Sequence, residues 1–69
     1  MPLTMARSGS SNLIKKISGK DETRRFLENL GFVEGASVTV ISEIGGNVII
    51  CVKNTRVALD KSMANRIMV

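Results

Sequence analysis

The chain has 69 residues with one cysteine, no histidine, no tryptophan and no tyrosine, and ten Lys and Arg against six Asp and Glu give a net charge of +4. These counts exclude a disulfide framework and a usual zinc site, and two Phe residues offer no platform on which bases could stack. The length sets one expected domain, residues 1–69, that buries only about 60% of the surface its unfolded chain exposes, and 43% hydrophobic residues suffice for its core.

No apolar run approaches the ~20 residues of a membrane-spanning helix, and no signal-peptide core follows Met1. The expectation is a soluble, cytoplasmic protein. Cys51 stands within Ile49-Ile50-Cys51-Val52, the setting of a small apolar strand residue in a reducing compartment. The positive balance favours an acidic partner: nucleic acid, a membrane surface or another protein. The missing aromatics argue against nucleic acid.

In chain order, residues 1–5 form an apolar start with Leu3 and Met5 alternating around Thr4, and residues 7–12, rich in Ser and Gly, predict a turn. Residues 13–17 predict a strand interrupted by Lys15-Lys16. Gly19-Lys20 is not a phosphate loop, because Ile14 stands where its first glycine belongs and Asp21 replaces the hydroxyl residue. A helix follows, with Asp21 as N-cap and with Thr23, Phe26, Leu27 and Leu30 on one stripe. Gly31 sits where a helix ends in a left-handed residue, and Phe32 stands where that motif places a hydrophobic partner for Leu27. Glu34-Gly35 turns the chain into a strand where Ala36, Val38 and Val40 alternate with Ser37 and Thr39. The pattern predicts a mainly β fold with one short helix plugging a small β-barrel.

Val38 and Val40 share an inward face with Val48, Ile50 and Val52 only if the connection has odd parity. A three-residue loop, Ile44-Gly45-Gly46, satisfies this and sets Ile41 opposite Ile49 and Thr39 opposite Cys51. A two-residue turn at Asn54-Thr55 then places Lys53 opposite Arg56, Val52 opposite Val57 and Ile50 opposite Leu59. Asp60 caps one helical turn through Lys61, Ser62 and Met63, and residues 67–69 close as a last strand.

The outward face carries Ile41, Ile49 and Cys51, with Ile44 at the loop tip. Either the amino-terminal segment covers this face or it docks another protein. Lys53 beside Arg56 is either a solvated like-charge pair or a local anion site for an acidic partner. Arg24 and Arg25 lie on the polar helix face with Glu28 spaced to pair with both, as helix support or as cations that strengthen docking. Catalysis finds no His, no serine with a base partner and no carboxylates brought together by local spacing. A transition-metal site would rest on Cys51, Met side chains and scattered carboxylates, a weak donor set.

The stretch Arg25-Phe26-Leu27-Glu28-Asn29-Leu30-Gly31-Phe32-Val33-Glu34-Gly35-Ala36-Ser37-Val38-Thr39-Val40 resembles the core of the FeoA family. The closing Val57-Ala58-Leu59, Met63-Ala64 and Ile67-Met68-Val69, and the opening Pro2-Leu3-Thr4 with Gly9, resemble its two ends. The chain departs at Ser8 and Glu34, where the family often has Pro. The resemblance implies an SH3-like barrel in a small cytoplasmic accessory protein of bacterial ferrous iron transport, with no enzymatic activity of its own. It implies a partner, the cytoplasmic GTPase domain of the large membrane transporter of Fe(II), which would recruit the protein to the inner membrane face without membrane insertion. It implies transition-metal binding, expected here as weak Fe(II) binding at most, with no tight cofactor. The alternatives are a small basic nucleic-acid-binding barrel and the accessory domain of an iron-dependent repressor.

Overall fold

Two hairpins, turning at Gly45-Gly46 and at Lys53-Asn54, supply three strands of one antiparallel sheet. The computed structural model covers residues 1–69. A 3-10 turn, Leu3–Met5, is followed by β1 (Ser11–Leu13), β2 (Lys16–Ile17), α1 (Asp21–Asn29), β3 (Ser37–Ile44), β4 (Asn47–Val52), β5 (Thr55–Asp60), α2 (Lys61–Ala64) and β6 (Ile67–Met68). A four-stranded sheet has the order β1-β3-β4-β5, and β2 pairs with β6 in a separate two-stranded sheet. Both sheets are antiparallel throughout. The expected barrel is therefore not closed by a continuous ladder. The predicted strand over residues 13–17 is divided instead: β1 lies on β3, Ile14 is buried, and the chain crosses to the second sheet at Lys15, whose N–H donates to the Met68 carbonyl.

Period-two alternation places Val38, Val40, Val48, Ile50 and Val52 on the inner face, where all are buried. Leu3, Ile14, Leu27, Phe32, Leu59, Ala64, Ile67 and Val69 complete the core. The amino-terminal residues do not alternate. In the 3-10 turn Leu3 is fully buried while Met5 is 69% exposed.

Helix α1 starts one residue earlier than expected. Lys20 is the N-cap, in extended conformation and without a side-chain cap bond, which puts Asp21 and Glu22 in the first turn beside the positive end of the helix. Leu27 is buried and Thr23 and Leu30 half-buried, but Phe26 is 50% exposed. Neighbouring positions on a helix point about 100° apart, and this nine-residue helix seats only the narrower stripe containing Leu27. Gly31, at φ +106°, ends the helix as predicted.

The core register of β3 on β4 matches the expectation: Val38 faces Val52, Thr39 faces Cys51 and Val40 faces Ile50. The odd residue is not in the loop. Ile44 pairs with Asn47 across a two-residue Gly45-Gly46 turn, and Ile41 is a bulge between Val40 and Ser42, so Ser42 and not Ile41 lies opposite Ile49. Gly45 has φ +62°, suited to the first position of a type II′ hairpin turn, whose twist matches the strands. The second turn also differs. It is Lys53-Asn54, with φ +50° and +63°, closed by Val52 opposite Thr55. Lys53 is consequently not opposite Arg56. Arg56 faces Cys51, Val57 faces Ile50 and Leu59 faces Val48. A shift of two residues keeps every side chain on the same face, so hydrophobic pattern does not separate these registers, whereas Asn at a left-handed turn position does favour this one. Asp60 caps α2 as predicted, its Oδ1 accepting from the Met63 N–H at 2.8 Å.

Candidate functional site

The outer face of β3-β4-β5 gathers most of the residues singled out in the sequence. One row runs Ser11, Thr39, Cys51, Arg56 from edge to edge, and the next runs Ser42, Ile49, Ala58. Ile49 and Cys51 are half-buried. The bulge turns Ile41 outward at 38% exposure, and Ile44, the last residue of β3, is 66% exposed. The amino-terminal segment does not cover them: it joins edge-on, β1 pairing with β3 and the Gly9 N–H donating to the Val40 carbonyl at 2.8 Å. Lys61 pairs with Glu43 near the Ile44 end, where its N–H donates to the Gly46 carbonyl.

Toward the other end of the sheet a shallow cavity of about 360 Å³ is lined by Ala36, Ser37, Thr39, Cys51, Lys53 and Asn54. Thr39 Oγ1 lies 3.2 Å from Ser11 Oγ. The combination is a partly apolar surface with hydroxyls, one thiol and the cations Lys53 and Arg56, suited to an apolar contact framed by positive charge.

Arg24 and Arg25 belong to a different surface. Arg24 pairs with Asp21 at 3.8 Å, and Glu28, spaced for both arginines, forms an ion pair with neither. Arg24 lines a cleft of about 260 Å³ with Ile17, Glu28, Val33 and Glu34, and Arg25 borders a shallower one with Asp21, Arg24 and Glu28. Neither cleft shares a residue with the sheet cavity.

Besides Met1 and Met5 at the amino terminus, two exposed apolar residues on regular elements were missed. Leu13, on edge strand β1, is 64% exposed, and Phe26 projects from α1. The signal for both was adjacency. Leu13 precedes the buried Ile14 and Phe26 precedes the buried Leu27, and successive residues do not share one core-facing direction.

The residues present do not fit a transition-metal centre. The chain has no His, and nowhere do three or more Cys, Asp or Glu side chains come together. The cross-strand neighbours of Cys51 are the hydroxyl of Thr39 and the cation of Arg56, so the softest donor of the chain stands beside a positive charge instead of a second ligand.

A family model described as the FeoA domain matches residues 1–69. The Methanocaldococcus jannaschii protein named Fe(2+) transport protein A is 32% identical over 68 residues, covering 99% of this chain and 83% of that one. A crystal structure of the iron uptake regulatory protein FeoA superimposes with a TM-score of 0.90 at 33% identity, over 100% of this chain and 93% of that chain. Stenotrophomonas maltophilia FeoA, crystallised with zinc and described as a procaryotic SH3 domain protein, superimposes with a TM-score of 0.87 at 29% identity, over 100% of this chain and 88% of that chain. The small β-rich fold is thus SH3-like, and this chain belongs to the FeoA family.

Proposed function

We propose that this chain is a non-enzymatic, cytoplasmic accessory protein of ferrous iron uptake, docking on the cytoplasmic GTPase domain of the Fe(II) transporter through the outer face of β3 and β4. The observation that carries this reading is the uncovered apolar ridge of Ile41 and Ile44, with half-buried Ile49 behind it, on a sheet face bordered by Lys53 and Arg56. An isolated sheet gains nothing from exposed isoleucines, whereas a partner that buries them recovers about 25 cal/mol per Å² of apolar surface. Membership of the FeoA family, and the iron-transport names of its relatives, supply the biological setting. No helix is long and apolar enough to cross a membrane, and in this proposal recruitment to the membrane comes through the GTPase partner.

Arg24 and Arg25 act at most as secondary contacts in this scheme, since they border clefts on α1 and not the ridge. A pull-down with the purified GTPase domain tests the reading. Retention of that domain by the wild-type chain, resistant to moderate salt, is the expected result. Capture of nucleic acid instead, with affinity falling steeply as salt rises, would replace it with the nucleic-acid alternative.

A further inference from the structure

Strand β5 is an edge of the four-stranded sheet, and its free side is self-complementary. The two-residue turn makes Val52 and Thr55 a bonded pair, so Thr55, Val57 and Leu59 direct their backbone groups at β4. The Lys61 N–H, which donates to the Gly46 carbonyl at 3.1 Å, continues that alternation. Arg56 and Ala58 therefore aim their N–H and C=O at the open edge, together with the Asp60 N–H. All three side chains are exposed and lie on the outer face. Arg56 forms no ion pair, and Asp60 uses only Oδ1 in capping α2.

We propose that β5 pairs antiparallel with β5 of a second copy of this chain, on a two-fold axis at Ala58. In that register Ala58 faces Ala58 of the second copy, Arg56 faces its Asp60, and Asp60 faces its Arg56. Opposite charges stand directly across from each other twice, and the axis is occupied by the smallest side chain of the strand. Centring the pairing on Arg56 would set two guanidinium groups against each other. Centring it on Val57 would leave both charges without a counterpart. The register at Ala58 alone satisfies hydrogen-bond direction and charge together. It also runs the row Ser42, Ile49, Ala58 into the same row of the second copy, joining the two four-stranded sheets and leaving the Ile41–Ile44 ridge free. The inference does not rest on transporter docking, although Arg56 borders both surfaces.

One strand added to another buries at or below about 1,000 Å², the size class of weak and transient contacts, so the association is sought up to high protein concentration. Sedimentation equilibrium of the intact chain, from about ten micromolar to about one millimolar, should show a reversible monomer–dimer equilibrium. Ala58→Lys and Arg56→Glu, both on the exposed face, should each weaken it by about tenfold or more, and Asp60→Asn, which keeps the cap, by less. In the unaltered chain, hydrogen exchange of the Ala58 amide should slow as protein concentration rises, a readout that needs no variant. A chain that stays monomeric at about one millimolar, or a dimer indifferent to both Ala58→Lys and Arg56→Glu with no concentration-dependent protection at Ala58, overturns the proposal.

Discussion

The Phe32 N–H donates to the Leu27 carbonyl at 3.0 Å, reaching back across Gly31 at φ +106°. With the Gly31 N–H bonded to the Glu28 carbonyl, also at 3.0 Å, the two bonds form a Schellman cap that satisfies carbonyls at the end of α1. Both Leu27 and Phe32 are fully buried, so the cap drives the helix and the chain leaving it into one core. A Cβ at Gly31 would meet Lys53 Cδ at 3.4 Å and Val52 Cγ2 at 3.7 Å, which is ordinary contact. The constraint there is conformational and not steric crowding. Gly31→Ala should cost about 1 kcal/mol and Gly31→Val more. Phe32→Ala should cost about 3–5 kcal/mol, enough to unfold a domain of this size. Denaturant melts followed by circular dichroism check this, and unchanged midpoints for all three variants would contradict it.

The two family departures occupy equivalent places. Ser8 is the second residue of the turn Arg7–Ser10, closed by the Ser10 N–H on the Arg7 carbonyl at 3.2 Å with Gly9 at φ +86°. Glu34 is the second residue of the turn over residues 33–36, closed by the Ala36 N–H on the Val33 carbonyl at 3.0 Å with Gly35 at φ +84°. A type II turn has a left-handed third residue and accepts Pro at the second. Neither the Ser8 nor the Glu34 N–H donates to a backbone carbonyl, so proline removes no bond. Ser8→Pro and Glu34→Pro should each stabilise the fold by about 0.4–1 kcal/mol by restricting the unfolded chain. Thermal melts of the two variants and their double are the check, and a loss of stability in both would mean these are not type II turns.

The donor geometry predicts weak metal binding in the free chain. Anaerobic, reducing titration calorimetry with Fe(II) and with Zn(II) should give no one-to-one site of micromolar affinity. A site of that strength that disappears in Cys51→Ser would show that Cys51 finds ligands despite Arg56 beside it.

The inner face of the hairpins was legible because period-two alternation in Val38, Val40, Val48, Ile50 and Val52 admits only one parity. The same parity required one extra residue but did not locate it. A loop and a bulge count alike, and the structure places the extra residue as a bulge at Ile41. That placement is why Ile41 lies beside the ladder and not opposite Ile49. The Lys53-Asn54 turn was missed for a related reason: a shift of two leaves the pattern unchanged, and a lysine at φ +50° is uncommon enough to hide it. The exposure of Ile41 followed from alternation and that of Ile44 from its place at the hairpin turn, but the bulge that sets Ile41 beside the ladder was not legible. The separation of Arg24 and Arg25 from it was not, because it depends on where the helix packs.

The arginines bear on whether docking as proposed would touch the chemistry of the GTPase domain. An arginine finger is worth about 10³-fold or more in GTP hydrolysis. Arg24 is tied to Asp21 on the helix surface, and Arg56 lies within a regular strand, so neither projects from a loop in the way a finger does. With saturating protein, Arg24→Ala, Arg25→Ala and Arg56→Ala should leave the hydrolysis rate of the GTPase domain unchanged, with Arg56→Ala weakening binding. A large acceleration lost in one of these variants at unchanged binding would assign that arginine a catalytic part.

Docking through the isoleucine ridge is tested most directly by the dissociation constant for the transporter's cytoplasmic GTPase domain, measured for the wild-type chain and for Ile41→Ser/Ile44→Asp. Both side chains lie outside the core, so the variant should keep the wild-type melting curve. The account predicts that it binds at least about tenfold more weakly, as expected for loss of the central apolar contacts of an interface. A wild-type chain that does not bind, or a folded variant that binds as tightly as wild type, would contradict it.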